Sequence, residues 1–276
     1  MVQRPVRIVG QSIPPKPTSP FLDIWHKRRN HVRSLPKINA VYWITLCAAS
    51  IFGTNTGDYV SDAMGIGHLA GLPWLLVVFL LLIGADLVAE FSAPLLFWAA
   101  IITVRTAATN FGDAFHDFHI GFEISLPIVL VLFAVSVLWY RRSCVSLMKN
   151  LPTGGVYWLT MTLAGIVGTI GGDAASFRLR LMPLGTAALF FLLAGVVIAA
   201  SKRKGGWTNP LIYWLALVLI RTAGTGAGDA LAHAAGLPFA TLLSGGVFVG
   251  LVIWFYAVIG TNVRTDPELV VEAERG

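Results

Sequence analysis

GTNTGD (53–58), ATNFGD (108–113), GTIGGD (168–173) and GTGAGD (224–229) carry one pattern four times. Each stretch follows a tryptophan at a fixed distance. Trp43, Trp98, Trp158 and Trp214 precede Asp58, Asp113, Asp173 and Asp229 by fifteen residues. The shared text, W-x9-[GA]-T-x-x-G-D, aligns without gaps and marks a fourfold internal repeat. Copies two and four also share Arg105-Thr106-Ala107 and Arg221-Thr222-Ala223, which copies one and three lack. The four copies therefore group as a doubled pair, offset by about 115 residues.

The text around the motifs is apolar. Of 276 residues, 56% are hydrophobic and 12% charged, and the mean hydropathy is +0.73. Soluble domains carry about 25% charged residues, so a water-soluble globule is excluded. Cys47 and Cys144 stand far apart in or beside apolar runs, which excludes a disulfide scaffold. Spanning hydrocarbon takes about 20 helical residues, fewer where the bilayer thins. Spans are expected near 39–56, 73–90, 94–111, 124–140, 153–171, 183–201, 210–227 and 237–259. Pro73, Pro183 and Pro238 open even-numbered spans, where a missing N–H costs nothing, and Pro127 falls in the first turn of the fourth.

The net charge of +6 is concentrated at one end. Residues 1–37 hold eight basic side chains against Asp23 alone, with prolines at 5, 14, 15, 17 and 20. This reads as a disordered topology signal or anionic-lipid contact, since no nucleic-acid recognition motif accompanies it. With the N-terminus inside, sixteen Lys and Arg fall on the inner side and two, Arg178 and Arg180, on the outer. Arg105 and Arg221 lie within spans. Both termini are expected in the cytoplasm.

Each unit holds two spans, so all four insert in one orientation, as parallel repeats about an axis along the membrane normal. The expected fold is an all-α polytopic membrane protein of eight transmembrane helices. It is built as four parallel two-helix repeats with pseudo-fourfold, two-times-two symmetry. The units are 38–92, 93–148, 149–205 and 206–260, between a basic tail at 1–37 and a cytoplasmic tail at 261–276. Every tryptophan then stands at the inner end of its helix and every Gly-Asp about 22 Å away at the outer end. Over roughly 37–260 the chain resembles an uncharacterised group of bacterial integral membrane proteins made of four tandem two-helix repeats with a hallmark tryptophan. The resemblance implies a bacterial inner-membrane location and a four-unit architecture, and it brings no activity or site residues.

Gly53/Gly57, Ala108/Gly112, Gly168/Gly172 and Gly224/Gly228 form small-xxx-small pairs, expected to let helices approach closely. Trp43, Trp98, Trp158 and Trp214 are counted with the glycines as packing residues and read as interfacial anchors rather than a ligand platform. The aspartates ask for more. An acid at a helix C-terminus opposes the macrodipole by about 0.3–1 kcal/mol, and intramembrane charge is functional by default. Compensation comes from a cation, a proton, or Arg105 and Arg221 of a neighbouring unit. Four residues beyond each motif acid stand Asp62, Asp117, Phe177 and His233, and the histidines past the tail, His68, His116, His119 and His233, all lie near motifs. On one helical face these would join the motif acids.

The expected site is a divalent metal of the Mn, Fe or Zn class, or protons, at Asp58, Asp62, Asp113, His116, Asp117, Asp173, Asp229 and His233. Thr54, Thr109, Thr169 and Thr225 either hydrogen-bond those ligands or back-bond within their helices. Copy three, with Phe177, Arg178 and Arg180, argues against four equivalent sites. The functional expectation is a cation transporter or channel, partnered by lipid and a small cation, not by nucleic acid. The alternative is a non-transport sensor, assembly or stress module whose acids are structural. Gly226-Ala227-Gly228-Asp229 spells the GxGD of intramembrane proteases in one copy only, and the repeat already explains it, so no enzyme is expected.

Overall fold

The computed structural model describes residues 35–36, 38–88, 94–144, 151–203 and 209–263. The basic tail is outside them apart from Leu35 and Pro36. So are Lys149, Lys204, Arg264, Arg275 and the junctions expected at 92/93, 148/149 and 205/206.

The described chain is all-helical. Its eight helices are α1 Ala40–Asp58, α2 His68–Val88, α3 Pro94–Asp117, α4 Phe122–Cys144, α5 Gly155–Asp173, α6 Met182–Arg203, α7 Pro210–Ala235 and α8 Leu237–Val263. Asn39 caps α1 by accepting from the Tyr42 N–H at 2.8 Å, and Asn209 caps α7 from the Leu211 N–H at 3.0 Å. Gly236, at φ +83°, stops α7, a backbone region open to glycine at little strain. α2 starts five residues before Pro73, so that proline lies within the helix rather than opening it.

Seven helices are long and apolar enough to cross a membrane. The exception is α1, whose 19 residues include Thr45, Ser50, Thr54, Asn55 and Thr56. All of these but Thr56 are buried. Polarity that lowers its hydropathy is turned into the protein, where hydrogen-bond partners wait.

The odd-numbered helices form the interior. α1 packs on α3, α3 on α5, α5 on α7, and α7 back on α1. Outside this ring, α2 lies on α3, α4 on α5, α6 on α7 and α8 on α1. Between 56% and 67% of the span is buried in α3, α5 and α7, but only 6–22% in α2, α4, α6 and α8. The outer helices present Trp74, Leu81, Val131, Leu192, Leu242 and Ile253 outward. Such a surface suits lipid, where lateral contact is as favourable as contact between apolar side chains.

Glycines set the spacing of the ring. A Cβ at Gly57 would stand 2.8 Å from Thr109, at Gly112 2.8 Å from Thr169, at Gly172 2.8 Å from Thr225, and at Gly228 3.1 Å from Thr54. One level along, Gly53 abuts Arg105, Ala108 abuts Gly165, Gly168 abuts Arg221 and Gly224 abuts Ser50. In every case a motif residue meets the next copy, and the fourth copy meets the first.

The tryptophan end repeats the rule in aromatic rings. Tyr42–Trp98, Phe97–Trp158, Tyr157–Trp214 and Tyr213–Trp43 have centroids 5.6, 5.9, 5.4 and 5.7 Å apart, with planes at 45–47°. Matching levels at both ends mean that the four inner helices run in one direction. The tryptophans are 1–9% exposed, which corrects their reading as interfacial anchors. They tie neighbouring helices through aromatic faces and edges.

Candidate functional site

Polar groups inside the ring fall on three levels, spaced by the helical repeat. Asp58, Asp113, Asp173 and Asp229 stand near the ends of their helices and are half-buried. All four lie within electrostatic range of Arg105, and each interacts with at least one other motif carboxylate. Among the described residues no ion pair joins them to Arg105 or Arg221. Both arginines do reach neighbouring units, Arg105 through threonines and carbonyls and Arg221 through Met161, but not the carboxylates they were expected to pair with.

Arg105 is fully buried and crosses to three other helices. Its Nη2 donates to Thr54 Oγ1 at 2.5 Å and Thr225 Oγ1 at 2.7 Å, and its Nη1 donates to Thr169 Oγ1 at 2.8 Å. The carbonyls of Ser50, Gly165 and Arg221 complete the set at 3.3–3.5 Å. Three of the four motif threonines thus serve a guanidinium. Thr54 also back-bonds to the Ser50 carbonyl at 3.0 Å, and Thr225 to that of Arg221 at 3.3 Å. Thr109, on the same helix as Arg105, is buried and its hydroxyl has no partner among the described residues. Ser50 and Gly165 occupy, in copies one and three, the position that Arg105 and Arg221 hold in copies two and four. Small residues at two diagonal positions leave room for long side chains at the other two.

Of the residues expected to surround the motif acids, Asp62 stays within electrostatic range of Asp58 and His233 within that of Asp229, but their direct side-chain partners are others. His68 Nδ1 lies 2.9 Å from Asp117 Oδ2, and its Nε2 lies 3.6 Å from Asp62 Oδ1. Asp62 and Asp117 therefore flank an imidazole that links the ends of α1 and α3 to the start of α2. The ring of His116 packs edge-on against Phe122, with centroids 4.8 Å apart. His233 Nδ1 meets the backbone carbonyl of Asp229 at 2.7 Å rather than its side chain. In copies one and three the turn after the aspartate is π-helical, as Tyr59–Ala63 and Ala174–Arg178. An i→i+5 turn differs from the α-helical turn on which the four-residue spacing rests, yet Asp62 remains within electrostatic range of Asp58. Among the described residues no three His, Cys, Asp or Glu side chains form a group able to hold a metal ion.

Two features escaped the sequence reading. Tyr42, Tyr157 and Tyr213 each precede a motif tryptophan, with Phe97 in the fourth instance, and extending the repeat by one residue would have exposed them. Asn55 and Asn110, three before their aspartates, are both fully buried beside the threonine level. No family model, curated protein or solved structure matches this chain.

Proposed function

We propose that this chain is a multi-pass bacterial inner-membrane protein of the four-repeat group, with eight spans and approximate two-times-two symmetry. In this reading it takes up protons from the outer side at a site shared by the four motif aspartates. The carrying observation is their common electrostatic surroundings: four carboxylates, one from each inner helix, within range of a single Arg105. One guanidinium offsets one carboxylate, and the remaining acids draw positive charge to that end. The proton is the cation this reading favours, because no three His, Cys, Asp or Glu side chains form a chelating group among the described residues. The cyclic contacts support the symmetry, and the outward apolar surface of α2, α4, α6 and α8 supports the membrane setting.

The test is proton flux into liposomes carrying the purified protein and an internal pH dye, with the potential clamped by potassium and valinomycin. Wild type is expected to dissipate an imposed gradient, and Asp113→Asn to slow it at least tenfold while remaining folded. Equal rates for wild type, Asp113→Asn and empty liposomes would remove the transport reading. A non-transport module has two observations in its favour. Arg105 bridges four helices at mid-ring, and the aromatic level closes the tryptophan end, as a purely structural core would.

A further inference from the structure

Arg105 and Arg221 start at the same level, each eight residues before its motif aspartate, yet their side chains part. Arg105 reaches toward the aspartate end. Arg221 turns toward the tryptophan end, where its Nη2 lies 3.3 Å from Met161 Sδ, one turn from Tyr157. Tyr42, Tyr157 and Tyr213 are within its electrostatic range. Their hydroxyls form a chain, with Tyr213 Oη 2.8 Å from Tyr42 Oη and 3.0 Å from Tyr157 Oη.

Counting donors shows an imbalance. Three hydroxyls bring three protons, and two hydrogen bonds between them use two. Arg221 is 1% exposed, and neither its Nε nor its Nη1 has an acceptor among the described residues. Of the five guanidinium N–H groups, four are therefore unmet among the described residues, and the fifth points at a thioether, a weak acceptor. Burying donors without acceptors is costly, and burying an unpaired charge is more so. A water molecule can accept from the guanidinium and donate to the tyrosine oxygens, but it brings no charge to balance the buried cation. An anion accepts without donating and neutralises the guanidinium.

We infer that Arg221, whose Nε and Nη1 are buried without acceptors, binds a small monovalent anion of chloride size beside the Tyr42–Tyr213–Tyr157 chain, with the spare tyrosine hydroxyl as a further donor. This site has the opposite sign to the acid end, is carried by different residues, and does not depend on proton transfer there.

Chloride and bromide are the probes. Thermal unfolding of the full chain in micelles is measured in sodium chloride and in sodium gluconate at equal ionic strength. Chloride is expected to raise the midpoint saturably by roughly 4 °C, as binding to the folded state alone requires. Arg221→Gln should abolish the shift, and Tyr213→Phe, which removes one hydroxyl and keeps the ring, should weaken apparent chloride affinity at least fivefold. Bromide soaked into crystals of the full chain should give an anomalous peak beside Arg221. Equal wild-type midpoints in the two salts overturn the proposal. Unchanged chloride dependence in Tyr213→Phe does so as well, even if Arg221→Gln does not fold.

Discussion

Gly168→Ala is expected to destabilise the protein by about 3 kcal/mol, toward the upper end of what one inserted methyl costs in a packed core. The added carbon would collide with Arg221 Cβ and stand 2.8 Å from the Arg221 carbonyl carbon and 3.0 Å from the Thr222 nitrogen. Two of these three atoms are backbone, so no rotamer change relieves the crowding. α5 and α7 must separate, which breaks the Thr225 bond to the Gly168 carbonyl across that interface and pulls apart Thr169 and Thr225, the two hydroxyls that Arg105 joins from α3. Alanine's better helix propensity returns at most about 1 kcal/mol. Gly195, in α6, is the control, since its added Cβ would meet nothing within 4 Å. Gly195→Ala should be neutral or stabilising by up to about 1 kcal/mol. Reversible unfolding of both variants in mixed micelles measures the difference. Equal stability of the two would mean that α5 and α7 are not in close approach at Gly168.

That contrast explains how much was legible beforehand. The small-xxx-small pairs reported close packing correctly because glycine has a single physical role there: a Cβ either fits or it does not. The common direction of the four inner helices was expected on another ground, since two spans per unit turn every copy the same way. The tryptophans were misread because hydropathy cannot separate an indole at the membrane surface from one stacked on the tyrosine of the next copy. The distinction lies in that neighbour, and Tyr42, Phe97, Tyr157 and Tyr213 were one position outside the aligned motif. The histidines were harder to place. Proximity in sequence placed His116 and His233 near the acids, but the direction of a side chain at a helix end depends on the turn that follows. Copies one and three turn as π-helix where copies two and four do not, and nothing in the spacing announced it.

The arginines show the same limit and offer the second large effect. Arg105→Lys keeps the charge and approximate length, yet it should cost about 3–5 kcal/mol, comparable to breaking a buried ionic network. The guanidinium fork serves three threonine hydroxyls and three carbonyls on three helices at once. An ammonium has three protons at one point and cannot span them. Thr54 and Thr225 can fall back on their own helix carbonyls, whereas Thr169 has no such bond and would be left buried without a partner. Arg105→Met separates geometry from charge. It loses the same bonds and also leaves four carboxylates with no cation beneath them. Asp113→Asn should therefore recover part of the stability lost in Arg105→Met and little of that lost in Arg105→Lys. A double-mutant cycle on unfolding free energy measures this coupling, with about 1 kcal/mol expected for the methionine pair and near zero for the lysine pair. Equal coupling in both would mean that Arg105 acts on the acids through packing alone. The electrostatic link between the buried arginine and the aspartate end would then be lost, and with it the main support for a cation site there.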